Sequence, residues 1–184
     1  MIFDDILLVF NGEIYNYKEL IHVEHLECKT KSDSEVLIRL YQKYGFDFLN
    51  KLNGMFSFCI YDMKKELYFC ARDRYGKKPF FYYFKDKKFI FSSSIKSILN
   101  LLDYKPNLNK VAVSKYMQYF VSFGEDTFYQ DIYKLESATY MIYEPNKPFE
   151  LQKKKYYKLN TYKAIKDEKQ ALTDIEELLI KGVE

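Results

Sequence analysis

The sequence has no tryptophan and few of the residues that interrupt or cross-link a chain, and these shortages exclude several protein classes. Its 184 residues include six glycines, four prolines and three cysteines. Collagen-like repeats and disordered tracts rich in proline and glycine are excluded by this composition. Cys28, Cys59 and Cys70 cannot all pair with one another, and two of them lie in apolar runs. A disulfide framework is therefore not expected, and a reducing cytoplasm is the expected location.

Long apolar runs and a strong charge of one sign are also missing. No run approaches the roughly 18 consecutive apolar residues that a membrane-spanning helix needs. The formal net charge is only +3, which argues against a dedicated nucleic-acid-binding protein. Asp4 and Asp5 stand where a signal peptide carries positive charge, so secretion is not supported. His22 and His25 have no neighbours at metal-ligand spacing, so no metal site is expected and surface positions are the better interpretation.

Aromatic residues, in contrast, are abundant. With 19 tyrosines, 16 phenylalanines and a hydrophobic fraction of 48%, the chain can build a substantial core. The run PFFYYF (79–84) superficially resembles a base-stacking platform, but core packing is the better interpretation at this net charge. Arginine is scarce, and two of the three arginines flank an aspartate in the motif Arg72-Asp73-Arg74. This motif could organise the transition from strand to loop beside a substrate cleft or a domain interface, but we predict a structural ion-pair network.

One helix is predicted with particular clarity. Ser32 and Glu35 have the spacing of a capping box, and we assign Glu35 to capping alone. Apolar residues then recur at helical spacing, and Gly45 can end the helix. The pattern predicts a helix over residues 33–44.

The remaining pattern predicts antiparallel strands joined by short polar turns. In the run MFSFCIY (55–61) both faces of a strand are apolar, which indicates a strand covered on both sides in a layered fold. The first strand is expected to end at a turn formed by Asn11 and Gly12. We predict strands over 6–10, 55–61, 67–71, 79–84 and 88–92, a few more within 128–158, and helices from about Lys18 and over 94–102, 110–120 (with Asn109 as N-cap) and 167–181.

Ordered sequence blocks cover nearly the whole chain and together resemble a known family. They are FNGEIYNYKEL (10–20), SDSEVLIRLYQKYG (32–45), LNGMFSFCIYD (52–62), ARDRYGKKPFFYY (71–83), FIFSSSIKSIL (89–99), TFYQDIYKL (127–135) and KYYKL (155–159). In order and spacing they resemble the type 2 glutamine amidotransferase domain of glutamine-hydrolysing asparagine synthetases.

The resemblance implies an α+β fold of the N-terminal-nucleophile (Ntn) hydrolase type, a four-layer αββα sandwich of two antiparallel sheets. Residues 1–160 would form this domain, incomplete at its N-terminus. Residues 161–184 would be a linker and the first helix of a truncated synthetase domain. The implied activity is hydrolysis of glutamine to glutamate and ammonia. The ammonia would feed an ATP-dependent amidation of aspartate to asparagine.

The resemblance also assigns candidate site residues. Asn11 and Gly12 match the family's oxyanion pair, and Gly12, Glu13 and Asp33 match its substrate contacts, the two carboxylates holding the α-ammonium group of glutamine. A plain Asn-Gly turn is the alternative for the first pair. The alternative for Asp33 is a purely structural role as an acid in the first turn of a helix, where the helix dipole stabilises negative charge. This role is compatible with substrate binding.

The sequence departs from the family at the nucleophile. The family uses a cysteine at the mature N-terminus, whose free α-amine acts as the base, whereas here Ile2 follows Met1 and all three cysteines are internal. The family's leading strands and its RGPD loop are also missing. We therefore expect a domain truncated at both ends and inactive alone. ATP and magnesium are expected only in the missing synthetase domain.

Three hypotheses remain open at this point. The first is a fragment of an asparagine synthetase. The second is a non-catalytic binding or regulatory module, derived from that domain, which keeps Glu13 and Asp33 to bind an amino acid. An unrelated aromatic-rich structural protein is disfavoured by the ordered blocks. Expected partners are glutamine and a synthetase domain in cis. A homodimer is left open, and neither nucleic acid nor membrane is expected to bind.

Overall fold

The computed structural model describes residues 1–147, 150–159 and 167–183, which form an α+β protein. All strand pairings are antiparallel and fall into two sheets. The strands are β1 Ile2–Phe3, β2 Ile6–Ile14, β3 Gly54–Asp62, β4 Leu67–Arg72, β5 Phe81–Lys85, β6 Lys88–Ser92, β7 Ile132–Lys134, β8 Thr139–Tyr143 and β9 Leu151–Lys155. The helices are α1 Tyr17–Val23, α2 Asp33–Tyr44, α3 Ile95–Leu101, α4 Lys110–Tyr119 and α5 Glu168–Val183, with a short 3₁₀ helix over Asp47–Lys51.

The first sheet has six strands in the order β1-β2-β3-β4-β8-β9, and the second has three in the order β6-β5-β7. The longest pairing joins β2 and β3 along all nine residues of each strand. In this register Asn11 lies opposite Ser57, and Gly12 lies opposite Phe56. The β2–β3 pair therefore forms the frame on which the candidate site residues are mounted.

Three separate apolar clusters show how the layers stack. The first packs α2 residues such as Leu37 and Tyr41 against Phe58 and Phe69 of the first sheet. The second joins the two sheets, with Met141 on one side and Tyr82 on the other. The third packs α3 against the outer face of the second sheet. This sequence of layers is helix, sheet, sheet, helix, so the expected αββα sandwich is confirmed.

The structure confirms most of the predicted elements and the core role of the aromatic run. Phe56, Phe58 and Ile60 of β3 face the α2 layer, while Cys59 faces the second sheet, so both faces of this strand are covered. Tyr82 of the PFFYYF run is 1% exposed, as expected of core packing. Asn109 caps α4, because its side-chain oxygen accepts a hydrogen bond from the backbone nitrogen of Ala112 at 3.1 Å.

The predicted turn at Asn11 and Gly12 is wrong. Strand β2 continues through both residues to Ile14, because β3 pairs with it along its whole length. The Asn-Gly signal is local, and the long-range pairing with β3 overrides it.

Helix α2 begins and ends where the pattern predicts, but one part of its predicted cap is wrong. The hydroxyl of Ser32 accepts a hydrogen bond from the backbone nitrogen of Ser34 at 3.2 Å, and Gly45 follows the last residue with φ 60°. In a capping box, Glu35 would accept from the backbone nitrogen of Ser32. Instead, Glu35 accepts hydrogen bonds from Thr30 and Lys29, because its carboxylate turns toward the preceding connection.

Helix α5 matches the helix predicted over 167–181, but none of its residues is buried. The division between residues 1–160 and 161–184 stays a prediction, since residues 160–166 lie outside the described ranges. Within those ranges, no helix combines the length and apolar character that crossing a membrane requires.

Candidate functional site

The end of β2 presents two of the predicted site residues on one face. Side chains of a strand alternate between its faces, so Asn11 and Glu13 point to the same side. Asn11 lines a cavity of about 260 Å³ that opens between the two sheets, together with Ser57, Phe80 and Phe91. Glu13, two residues further along β2, is exposed to solvent. The amide and the carboxylate thus lie side by side along the face of β2 that looks toward the second sheet.

Gly12 lies at a point where two backbones approach closely. A Cβ atom on Gly12 would be 2.1 Å from the carbonyl oxygen of Met55 and 2.7 Å from the Cα atom of Phe56. The φ angle of Gly12 is 149°, a value that residues with a side chain rarely adopt. Only glycine therefore fits here, and its backbone is held in place by β3.

Asp33 reaches the same end of β2 from the neighbouring helix. It is the first residue of α2, where the helix dipole favours a carboxylate. Its Oδ2 atom accepts a hydrogen bond from the backbone nitrogen of Ile14, the last residue of β2, at 3.1 Å. The structure therefore brings all four predicted site residues, Asn11, Gly12, Glu13 and Asp33, to one strand end. It is compatible with both interpretations of Asp33.

Glu35 has a structural role in this region that differs from the predicted helix cap. It is 0% exposed and accepts hydrogen bonds from the backbone nitrogens of Lys29 and Thr30 at 2.8 and 2.6 Å. The Thr30 hydroxyl also donates to it at 2.6 Å, and Arg39 lies 3.5 Å away. Burial alone would raise the pKa of Glu35, but these hydrogen bonds and the Arg39 charge outweigh it and lower the pKa. The carboxylate thereby fixes the connection that leads into Asp33.

The Arg72-Asp73-Arg74 motif organises backbone groups, and the predicted ion-pair network is wrong. The Arg72 guanidinium donates to the carbonyl oxygens of Lys78, Leu135 and Gly76 at 2.6, 2.7 and 2.6 Å. Burial lowers the pKa of Arg72, and the nearby Asp73 charge opposes this effect.

Asp73 likewise bonds to the main chain. Its carboxylate accepts from the backbone nitrogens of Tyr75, Lys77 and Lys78 at 3.0 Å and from that of Phe56 at 3.3 Å. Phe56 is the partner of Gly12 in the sheet, so Asp73 supports the strand that holds the site. The sequence indicates this motif only by three charged residues at the end of a strand. Such a pattern does not show whether the charged side chains bond to other side chains or to the backbone.

Cys59 and Cys70 lie in the core, as the apolar runs around them indicate, and Cys28 lies apart from them. Cys59 and Cys70 are direct cross-strand neighbours on β3 and β4, both buried between the sheets, and they form no disulfide with each other. Burial, together with the contact from Cys59, raises the pKa of Cys70. Cys28 is half-buried on the connection before α2, and burial raises its pKa too. Elevated thiol pKa values disfavour the reactive thiolate.

His22 and His25 are exposed, in agreement with their predicted surface positions. In the part of the chain that the structure describes, no group of three or more His, Cys, Asp or Glu residues could hold a metal ion.

Comparison with known proteins matches this chain to one domain family and to larger relatives. The glutamine amidotransferase domain model matches residues 3–157. A Methanocaldococcus jannaschii protein, provisionally named asparagine synthetase (glutamine-hydrolyzing) 2, is 43% identical over 181 residues. That match covers 97% of this chain and 35% of the relative. Asparagine synthetase (glutamine-hydrolyzing) 1 of Bacillus subtilis is 32% identical over 170 residues, which cover 90% of this chain and 26% of that protein. The chain thus spans about a third or less of the length of these relatives.

The solved structures support the same architecture. The glutamine phosphoribosylpyrophosphate amidotransferase of Bacillus subtilis, complexed with ADP and GMP, aligns with a TM-score of 0.53 at 15% identity. The alignment covers 83% of this chain and 29% of that one, and at this identity it supports the fold alone. The αββα sandwich is that of the Ntn-hydrolase amidotransferases, and the chain belongs to the glutamine amidotransferase domain family.

Proposed function

We propose that this domain binds L-glutamine and serves as the glutaminase part of an asparagine synthetase, in which ammonia from glutamine amidates aspartate. The observation that carries the proposal is the hydrogen bond from Ile14 to Asp33, which brings a helix carboxylate to the strand end that carries Asn11, Gly12 and Glu13. The names of the larger relatives support the asparagine-forming reaction over other amidations.

Asn11 and Gly12 are the proposed oxyanion donors. Hydrolysis of an amide passes through a tetrahedral intermediate whose oxygen carries negative charge, and donors fixed in advance stabilise it. A side-chain amide on Asn11 and the backbone N–H of Gly12 are adjacent donors on a strand that β3 holds along its length. The close approach of Met55 at Gly12 limits backbone adjustment there, which is what a preorganised donor pair requires.

Glu13 and Asp33 are the proposed partners of the α-ammonium group of glutamine. Hydrogen bonds between an ammonium group and a carboxylate are among the stronger ones in proteins. The Oδ2 atom of Asp33 is oriented by the Ile14 N–H, which leaves the other oxygen for the ligand. Two carboxylates near one cation also favour glutamine over ligands that lack the amine.

None of the three cysteines can serve as the nucleophile of the family's reaction. The family mechanism uses the α-amine of the nucleophilic cysteine as its base, and an internal residue has only a non-basic amide nitrogen. Cys59 and Cys70 are buried, and Cys28 is half-buried with a raised pKa. We therefore expect this 184-residue polypeptide to bind glutamine without hydrolysing it. We place the use of ATP and magnesium in the synthetase part of such proteins.

Calorimetric titration of the chain with L-glutamine, paired with a glutaminase assay, tests the proposal. Glutamine should bind, Asp33→Asn should weaken binding about tenfold or more through loss of a charged contact, and no glutamate should form. Asp47→Asn is the matched control, because Asp47 is an exposed acid on the 3₁₀ helix. Equal binding by the Asp33→Asn variant would refute the site assignment. Measurable turnover would refute the account of the nucleophile.

A non-catalytic amino-acid-binding module is the second candidate function. It is favoured by the burial of Cys59 and Cys70 and by the raised pKa of Cys28, and it uses the same two carboxylates. The two candidates are distinguished by the coding sequence upstream of Met1: an in-frame segment that supplies an N-terminal cysteine would favour the glutaminase, and a stop codon there would favour the binding module.

A further inference from the structure

A cavity on the outer side of the α1–α2 layer is separate from the glutamine contacts. It has a volume of about 390 Å³ and lies between α1 and the connection that leads to α2. None of its lining residues belongs to the glutamine contacts proposed above. The lining consists of Tyr17, Lys18, Ile21, His22, Leu26, Cys28, Thr30 and Lys31.

The floor of this cavity is apolar and fixed by the core. Tyr17, Ile21, Leu26 and Cys28 are all partly buried and pack against the apolar cluster beneath the first sheet. A rigid apolar floor favours the hydrocarbon or aromatic part of a ligand, which loses contact with water when it binds.

The α1 wall of the cavity is held by a buried carboxylate. Glu24, the residue that follows α1, receives hydrogen bonds from the Tyr44 hydroxyl and, at 2.9 Å, from the Lys51 ammonium group. The Lys43 ammonium group donates to the Glu24 carbonyl oxygen at 2.7 Å. These bonds fix the end of α1 against α2 and the 3₁₀ helix.

The opposite wall is held by a second buried carboxylate, Glu35, which binds the backbone and the hydroxyl of Thr30. Both walls are therefore anchored before any ligand arrives. A preformed cavity binds a ligand at a smaller ordering cost for the protein.

The rim of the cavity carries positive charge. The charged residues of the lining are Lys18 and Lys31, which are both exposed, and no acidic residue contributes to the lining. In the described ranges, neither Lys18 nor Lys31 takes part in an ion pair. Cationic groups above an apolar floor suit a ligand that has an anionic head and an apolar body.

We propose that this cavity is a binding site for a small carboxylate with an apolar body, such as an aromatic or branched aliphatic acid. The carboxylate faces Lys18 and Lys31, and the apolar body lies on Ile21 and Leu26. Glutamine is a poor occupant, because its polar side-chain amide would lie on the apolar floor without a partner.

Cys28 provides a built-in reporter for this site. It lines the cavity and is half-buried, whereas Cys59 and Cys70 are 2% and 0% exposed and serve as internal controls. We would follow alkylation of Cys28 by N-ethylmaleimide with mass spectrometry, at about pH 8.5 because its pKa is raised. Phenylacetate is the probe. At about ten times its Kd it should slow alkylation about tenfold, since about a tenth of the sites remain free.

Two small molecules and three variants complete the experiment. Phenylacetamide has the same ring without the charge, and acetate has the charge without the ring, so neither should protect Cys28. Lys18→Gln and Lys31→Gln should each weaken protection. Lys29→Gln should not, since Lys29 is an exposed lysine of the same connection that does not line the cavity.

A second readout does not depend on the thiol. Saturation-transfer NMR should detect phenylacetate bound to a Cys28→Ser variant, and the signal should fall when Lys18→Gln and Lys31→Gln are added to it. Absence of protection in the unmodified chain would overturn the proposal. Equal protection by phenylacetamide, or full protection in the Lys18→Gln/Lys31→Gln double variant, would overturn it too, because the charged rim would then have no role.

Discussion

The Asp33 carboxylate accepts a hydrogen bond from the Ile14 backbone nitrogen at 3.1 Å, and this contact ties the first residue of α2 to the last residue of β2. The two residues are 19 positions apart in sequence. The bond sets the position of a helix carboxylate relative to a strand, so the geometry of the site depends on how firmly the start of α2 is held.

Glu35→Gln should weaken the hydrogen bonds that hold the connection before α2. Glu35 accepts three hydrogen bonds from Lys29 and Thr30, and a neutral amide cannot accept all of them as strongly. We expect faster hydrogen exchange at the amides of Lys29 and Thr30, and a loss of about 2 kcal/mol in the free energy of unfolding. Exchange mass spectrometry and urea denaturation measure the two effects.

The matched control for this variant is Glu27→Gln, which alters an exposed acid of the same connection. Unchanged exchange at Lys29 and Thr30 in Glu35→Gln would show that the carboxylate does not hold the connection.

Gly12→Ala should be strongly destabilising. The added Cβ would lie 2.1 Å from the carbonyl oxygen of Met55, and φ at this position is unfavourable for alanine. Overpacking and backbone strain together predict a loss of about 3 kcal/mol or more in the free energy of unfolding. Gly182→Ala is the control, because a Cβ there meets nothing within 4 Å and alanine favours the helix. Similar unfolding midpoints in urea for the two variants would contradict the close approach at Gly12.

Periodicity in the sequence predicted most of the helices and strands, and the family resemblance supplied the order of the layers. The helix over 33–44 and the two-sided burial of β3 were correctly predicted, because hydrophobic spacing reports directly on which face is buried. The family resemblance also suggested four candidate site residues, which the fold brings to one strand end.

The partners of individual polar groups could not be read from the sequence in the same way. Asn11 and Gly12 have the composition of a turn, yet β3, more than 40 residues away, extends the strand through them. Glu35 has capping-box spacing, but its carboxylate bonds to a connection whose path depends on tertiary packing. The neighbouring cysteines of β3 and β4 became visible only with the register of the strands.

Arg72→Lys should destabilise the fold, although it conserves charge. Arg72 donates to three carbonyl oxygens in a planar arrangement, and a lysine ammonium group cannot reach all three. Leaving buried carbonyl groups unpaired predicts a loss of about 2 to 3 kcal/mol in the free energy of unfolding.

Arg74→Lys provides the comparison within the same motif. Arg74 donates to the Asn50 carbonyl oxygen near the surface and stacks on Tyr157 at 4.9 Å, so its replacement should cost less than about 1 kcal/mol. Chemical denaturation of both variants checks the difference, and equal losses would show that the carbonyl contacts of Arg72 are not what stabilises this region.

The contribution of Glu24 to stability should depend on pH in a defined direction. Its hydrogen bonds from Tyr44 and Lys51, aided by the charges of Lys51 and Lys43, lower the pKa of Glu24 from 4.5 to about 2. A carboxyl group with a lower pKa in the folded state stabilises the fold at pH values above its unfolded pKa. That stabilisation is lost as the pH falls through the pKa of the folded state.

The difference in free energy of unfolding between the unmodified chain and Glu24→Gln should therefore be constant near neutral pH and should shrink as the pH falls from 4.5 toward about 2. Urea denaturation across this range measures it. A difference independent of pH would mean that the charge of Glu24 does not hold the end of α1.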